Sequence, residues 1–381
     1  MKASTDRILT THVGSLPRTA AVTKVVFGRE QGKPIEGGEF SRVVSEAVQD
    51  VIDRQQRSGV DIISDGEQSK ISYATYIKDR LTGFDGDSPR SPPADLEDFP
   101  NFLRRQASAG GTPTYRRPRC VGPVAVKSMQ PLADDIACFK GALARAVVVE
   151  PFMNAASPGV IALFQPNDYY PNHEAYLAAL GEAMRPEYEA IVNAGLILQV
   201  DSPDLGLGRH TLFKGRTQEE YQRLAALHVE VLNDALRNCA ADRVRMHICW
   251  GNYEGPHHHD VPMEVVLPIA LRAKPLGLLF EASNPRHAHE WIVFRDARVP
   301  QDKILIPGVL DSVSNFIEHP LLIAERIERF ARIVGRERVI AGTDCGFSTF
   351  AGFGAVDADI VYAKLASMAE GARIASRRLW S

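Results

Sequence analysis

Short apolar runs, each closed by a residue able to do chemistry, alternate along the chain with longer stretches of helical periodicity. Ile8-Leu9-Thr10-Thr11-His12-Val13 stops at Gly14-Ser15-Leu16-Pro17, where proline cannot continue a strand. Over 41–58, Val43, Ala47, Val48, Val51 and Ile52 recur at helical spacing, with Ser41 as the expected N-cap and Gly59 as the stop. Val60-Asp61-Ile62-Ile63-Ser64 then runs into Asp65-Gly66-Glu67. The rhythm returns in Ala146-Val147-Val148-Val149-Glu150-Pro151-Phe152, followed by an expected loop over 154–159. After a helix over 172–193 comes the run that ends at Asp201, and after one over 217–238 the run that ends at Cys249. Further runs end at Glu281, Gly308 and Cys345, and a last helix carries Val361, Leu365, Met368 and Ile374.

Strand starts at Ile8, Val60, Arg119, Val147, Leu196, Val244, Leu278, Ile304 and Val339 give eight or nine short strands, mostly separated by helices. That alternation predicts an α/β fold, a (β/α)8 TIM-type barrel, with an open doubly wound sheet as the runner-up. The barrel is favoured because polar residues recur at strand C-terminal ends throughout, as one site on the C-terminal face requires. Residues of about 81–118 break the rhythm with proline, glycine, arginine and aspartate. They read as an inserted loop or lid, too short and too polar to hold a core. The expected organisation is one barrel domain over 1–381 carrying this insertion.

Composition narrows the partners. A charged fraction of 24% and a net charge of −3 give no basic bias toward nucleic acid or membrane. No apolar run approaches the roughly 20 residues that span a bilayer, and the first residues lack a secretory pattern. Five cysteines, Cys120, Cys138, Cys239, Cys249 and Cys345, are scattered and odd in number. They favour a reducing compartment over a disulfide framework, and the expected location is cytoplasmic. Small molecules are the expected partners, and a homo-oligomer is left open.

The chemistry centres on Met246-His247-Ile248-Cys249-Trp250. Residues two apart on a strand share a face, so His247 and Cys249 face the same way. In a barrel, Glu281 ends the next strand and Cys345 a third, around the same mouth. Two thiolates, an imidazole and a carboxylate suit zinc; the alternative is two small core cysteines and a glutamate helix cap. Zinc lowers the pKa of a substrate thiol near neutral pH. Glu281, as the only oxygen donor, is then the ligand that gives way to the thiol, and the implied reaction is alkyl transfer to sulfur.

With these motifs in view, the chain resembles the catalytic C-terminal half of cobalamin-independent methionine synthase and shorter relatives that include epoxyalkane:coenzyme M transferase. The resemblance runs from Thr10-Thr11-His12-Val13-Gly14-Ser15 through Asp65-Gly66-Glu67, Arg119-Cys120, Gln199-Val200-Asp201-Ser202-Pro203 and His247-x-Cys249 to Glu281-Ala282-Ser283 and Thr343-Asp344-Cys345-Gly346. It implies a zinc-dependent barrel with the metal on His247, Cys249, Glu281 and Cys345, and transfer of a methyl or other alkyl group to a small thiol, homocysteine being favoured. It further implies that Val13, Gly14, Ser15 and Glu67 hold the polar end of an amino-acid thiol, with Asp201 facing its ammonium. Arg119 and Cys120 match the family's pterin-contact dipeptide.

Departures from the pattern leave the alkyl donor unspecified. The family histidine two residues after the Gly-Val-x-Asp aspartate, Asp311 here, is Val313, and the folate-facing glutamate falls at about Leu207. The expected tryptophan is missing from Asn154-Ala155-Ala156-Ser157. Catalytic roles are therefore assigned to Asp311 and to His257 and His258, which lie in a loop of three histidines just after the metal pair. His210, His287 and His289 read as structural. Competing readings are an epoxide-opening or corrinoid- or aryl-ether-linked alkyltransferase, a metal-free barrel of the uroporphyrinogen decarboxylase type, and a non-catalytic thiol-binding protein.

Overall fold

The computed structural model describes residues 1–89, 92–108 and 116–381. Ten strands occur among them: β1 (Leu9–Thr10), β2 (Ile62–Ile63), β3 (Phe84–Asp85), β4 (Arg119–Cys120), β5 (Glu150–Ala156), β6 (Ile197–Asp201), β7 (Val244–His247), β8 (Gly277–Phe280), β9 (Ile304–Leu310) and β10 (Ile340–Thr343). Eight of them form one sheet in the order β1-β10-β9-β8-β7-β6-β5-β2. Every pairing in it is parallel. A parallel bridge from Thr11 to Ile62 brings β1 back to β2, so the expected (β/α)8 TIM-type barrel forms rather than an open sheet.

Parallel neighbours need crossovers, and the amphipathic helices supply them. The helix Glu39–Arg57 buries Val43, Val44, Ala47, Val48, Val51 and Ile52. His173–Asn193 starts on Asn172, whose side chain accepts from the Ala175 N–H. Gln218–Ala235 starts on a capping box between Thr217 and Glu220, which satisfies two otherwise orphaned N–H groups. The last helix, Ala358–Leu379, buries Val361, Leu365 and Met368.

Three local expectations need correction. Arg119–Cys120 is no barrel strand: it pairs antiparallel with β3 as a ribbon beside the barrel. It has no apolar run behind it, and the Cys120 N–H is bonded to the Pro166 carbonyl instead of to a barrel neighbour. The run at Val147 is not buried strand either. Val147 is 93% exposed and β5 begins at Glu150, so Asn154, Ala155 and Ala156 lie in strand rather than loop. Ser41 is not a cap, because the helix begins two residues earlier after Gly38, whose φ of 83° only glycine adopts freely. The insertion is described over 81–89, 92–108 and 116–118; Arg90, Ser91 and 109–115 lie outside the described residues. It carries β3, the start of β4 and the helices Ala94–Glu97 and Pro100–Ser108. Among the described residues, no helix is long and apolar enough to cross a membrane.

Inside the barrel, Leu9, Ile62, Phe152, Ile197, Leu279, Ile304, Ile306 and Ile340 make an apolar plug. On β7 the period of two turns Arg245 and His247 inward while Val244 and Met246 pack against the helices. Arg245 is fully buried, with its guanidinium 3.6 Å from the Phe152 ring centre. It donates to Thr11 Oγ1 at 2.9 Å and to the His12 carbonyl at 2.9 Å. Burial pushes this guanidinium down to about 9. It also pushes His12 down to about 3, so that imidazole sits neutral, its Nε2 2.6 Å from Gln55 Oε1. Above this floor the C-terminal strand ends surround a cavity of about 1820 Å³.

Candidate metal centre and thiol pocket

Two residues past one inward-facing histidine, the chain places a thiol on the same rim. His247, Cys249 and Cys345 present one ligand atom each, all within 4.8 Å of one another, and all three residues are buried. Cys249 Sγ and Cys345 Sγ are 2.8 Å apart, and His247 Nε2 is 3.8 Å from Cys345 Sγ. Burial and the neighbouring Cys249 push the Cys345 thiol well above its ordinary range. Two thiols so placed ionise together only beside a cation, and an imidazole with two sulfurs is a zinc donor set. The other imidazole nitrogen, His247 Nδ1, lies 3.3 Å from Asp201 Oδ1, the carboxylate backing that fixes the ring of metal-binding histidines.

Glu281 lies beside this group, its Oε1 3.9 Å from Cys345 Sγ. Its carboxylate is already engaged: Oε1 accepts from the Trp250 N–H at 2.8 Å, and Oε2 from Asn284 Nδ2 and Arg286. A residue that sequence reasoning missed shapes this corner. Asp344 accepts from the backbone N–H groups of Ala282, Ser283 and Asn284 and from the Ser283 hydroxyl and Asn284 amide. It thereby holds the loop after β8 against Cys345. The signal available was its place beside Cys345. Asp344→Asn turns one acceptor into a donor facing N–H groups, and metal affinity is expected to fall about 10- to 100-fold, read by competition with a chromogenic chelator.

In the same cavity, Val13, Ser15 and Glu67 from the loops after β1 and β2 line the wall with Asn154 of β5 and Asp201 of β6. Glu67 has a φ of 55°, a left-handed conformation rare outside glycine. Its carboxylate is 1% exposed, and neither oxygen has a hydrogen-bond partner. Lys70 Nζ is 3.8 Å away but donates to the Asn154 carbonyl. Burial pushes Glu67 up to about 7, with the Lys70 charge opposing and the Asp201 charge adding to the rise. Asp201 takes hydrogen bonds from Asn154 Nδ2 and Gln199 Nε2, both at 2.9 Å. Gly14, φ 142°, passes so close to the Asn154 amide that a Cβ there would collide with it. Asn154 therefore joins the pocket, although the sequence pattern placed it in a loop. Two neighbouring carboxylates, one of them unpartnered, make a pocket suited to a cation.

The remaining assigned residues are spread out. Asp311 lines the cavity and accepts from the Val313 N–H at 3.1 Å. His257 also lines it, but its Nδ1 lies 3.1 Å from Asp260 and its Nε2 3.0 Å from the Tyr253 carbonyl. His258 is exposed, does not line the cavity, and meets Asp98 of the insertion. Arg119 pairs with Asp168 at 2.7 Å, and Cys120 is buried in the ribbon; neither lines the cavity. Behind His257, His210 sits between Asp95 and Asp260, and His287 between Asp260 and Glu290. These carboxylates outweigh burial and raise both imidazoles to about 9, which suits the structural role expected of them.

The buried sulfur and nitrogen cluster and the buried carboxylates of Glu67 and Asp201 thus share one cavity at the C-terminal end of a parallel barrel. The family model described as "Cobalamin-independent synthase, Catalytic domain" matches residues 8–88. Methionine synthase of Saccharolobus solfataricus is 24% identical over 376 residues, covering 97% of this chain and 95% of that protein. Methionine synthase of Thermococcus kodakarensis is 22% identical over 373 residues, covering 97% and 94%. In fold, the chain superposes on a B12-independent methionine synthase from a Shewanella species, solved in complex with selenomethionine, with a TM-score of 0.71, 18% identity and 98% and 99% coverage. These matches show similarity to cobalamin-independent methionine synthases over residues 8–88, to methionine synthases over most of the chain, and in fold.

Proposed function

We propose that this protein is a zinc-dependent transferase that moves a methyl group from a small-molecule donor to the sulfur of an amino-acid thiol, with homocysteine as the favoured acceptor. The observation that carries the reading is the pairing of the buried His247, Cys249 and Cys345 cluster with the unpartnered carboxylate of Glu67 in one cavity. The full-length relatives named methionine synthase support the same acceptor. One barrel over 1–381, with its insertion beside the cavity, is the domain organisation that goes with this reading, and a cytoplasmic location fits its reduced cysteines.

His247, Cys249 and Cys345 would hold the zinc ion, with Glu281 beside them as the oxygen donor of the set. Zinc bound there supplies the positive charge that acidifies a substrate thiol near neutral pH. The chain's own residues do the rest. Glu67 and Asp201 pair the substrate ammonium, and the backbone of Val13, Gly14 and Ser15 faces its carboxylate. Asp201 serves both groups at once, because it also orients His247. Arg286 holds the Glu281 carboxylate in place beside the cluster. Arg119 and Cys120 lie away from the cavity, and Val313 and Leu207 line it, so methylfolate has no assigned contacts and the donor is left open.

The test is a panel of acceptors and donors on protein of measured metal content. Homocysteine, coenzyme M and a simple alkyl thiol are each offered methylfolate, methylcobalamin, aryl methyl ethers and epoxides. About one zinc per chain and methylation of homocysteine above the other thiols are expected. Equal turnover with the metal removed, or turnover confined to epoxides, would overturn the reading.

A further inference from the structure

The three consecutive histidines of the loop after β7 have separate fates, and two of them meet a residue of the insertion. His258 Nε2 lies 2.9 Å and His259 Nε2 2.7 Å from the same oxygen, Oδ2 of Asp98. The three ligand atoms lie within 4.8 Å of one another and all three residues are exposed. We propose that Asp98, His258 and His259 form a second binding site for a divalent transition-metal ion such as zinc or nickel, and that the bound ion ties the insertion to the loop that follows the buried cysteine and histidine pair.

Geometry and chemistry both favour an ion here. Ligands bound at about 2.0 to 2.2 Å around a tetrahedral ion stand roughly 3.3 Å apart, so each imidazole nitrogen would move about half an ångström from Asp98 Oδ2. Neutral imidazole nitrogens and a carboxylate oxygen are ligands of borderline ions, and the exposed side leaves room for water to complete the shell. The loop is held in register from behind: buried Asp95 accepts from the Tyr253 hydroxyl at 2.8 Å and from the His257 N–H at 2.9 Å. On the near side, the Phe99 ring packs edge-on against His258 with centroids 5.4 Å apart. Asp95 and Asp98 both belong to the insertion, which lines the cavity through Leu96 and Leu103 alongside Tyr253 to His257. An ion at this seam would join a cavity wall to the insertion beside it.

The claim is independent of what the buried cluster does, and the experiment keeps the two apart. Tag-free full-length protein is titrated with nickel or zinc by calorimetry, and limited proteolysis of the insertion is followed with and without the ion. The same is done for His258→Ala/His259→Ala, for Asp98→Asn, and for each on a Cys345→Ser background. The parent chain is expected to take one more ion than the double variant on both backgrounds, and Asp98→Asn to bind that ion at least about tenfold more weakly. Cleavage of the insertion is expected to slow at least about threefold with the ion in the parent and to stay unchanged in the double variant. Equal ion counts in parent and double variant would overturn the site. A lost ion with no change in cleavage would overturn its role as a tie.

Discussion

Cys345→Ser is expected to remove metal and thiol methylation together. Loss of an outer partner of a metal ligand costs about 10- to 100-fold in affinity, so loss of a buried ligand exceeds that. With Cys345 gone, His247 and Cys249 keep two of the three converging ligand atoms. Zinc content is expected to fall from about one ion per chain to below about a tenth by plasma emission, and homocysteine methylation to fall below detection. The barrel should survive, because Cys345 lies past the end of β10 and its oxygen replacement is nearly isosteric. Unchanged far-ultraviolet circular dichroism with lost metal separates ligand loss from unfolding. Full activity in metal-free Cys345→Ser protein would sink the proposed chemistry.

The second large effect falls on acceptor binding. Glu67→Gln is expected to raise KM for homocysteine about 30-fold or more, because an uncompensated partner of a buried charge pair costs about 2 to 5 kcal/mol. KM for an alkyl thiol without an ammonium should hardly move, which distinguishes this role from general damage. The pH dependence has a definite sign. Burial pushes Glu67 up to about 7 from an ordinary value of 4.5. The folded chain therefore holds that proton more firmly than the unfolded chain. The stability this contributes is full below about pH 4.5 and is lost as pH rises through about 7. Ammonium binding needs the ionised carboxylate, so homocysteine affinity rises over the same span in which stability falls. Glu67→Gln flattens both curves, and thermal melts with and without homocysteine from pH 5 to 9 would show it.

The barrel was readable because each strand is an apolar run that ends where its loop begins, and the cluster of His247, Cys249 and Cys345 because these residues sit at or just past those ends. Periodicity failed where burial did not follow composition. Val147 belongs to a valine run yet is 93% exposed, while Asn154 is polar and sits in the barrel wall. Arg119-Cys120 matched a motif, but a motif carries no information about pairing, and the segment joins the insertion's ribbon. The roles of Asp344 and Asn154 rest on hydrogen bonds to residues more than forty positions away along the chain. No local pattern reports such partners. His257 and His258 were legible as a cluster, whereas their separate carboxylate partners, Asp260 and Asp98, emerged only in three dimensions.

The way the ring closes gives the two halves of the cavity different mechanical characters. The metal side hangs from β7 and β10, which lie within the continuous run of strands from β5 to β10. The side carrying Glu67 hangs from β1 and β2, two residues each, whose ladder pairing with each other among the described residues is the isolated bridge from Thr11 to Ile62. Segments with few shared backbone bonds open at lower free energy than the body of a sheet. Amide hydrogens around Val13 and Glu67 should thus exchange with solvent ahead of those around Met246, leaving a stiff jaw for the sulfur chemistry and a yielding one that firms up when its guest arrives.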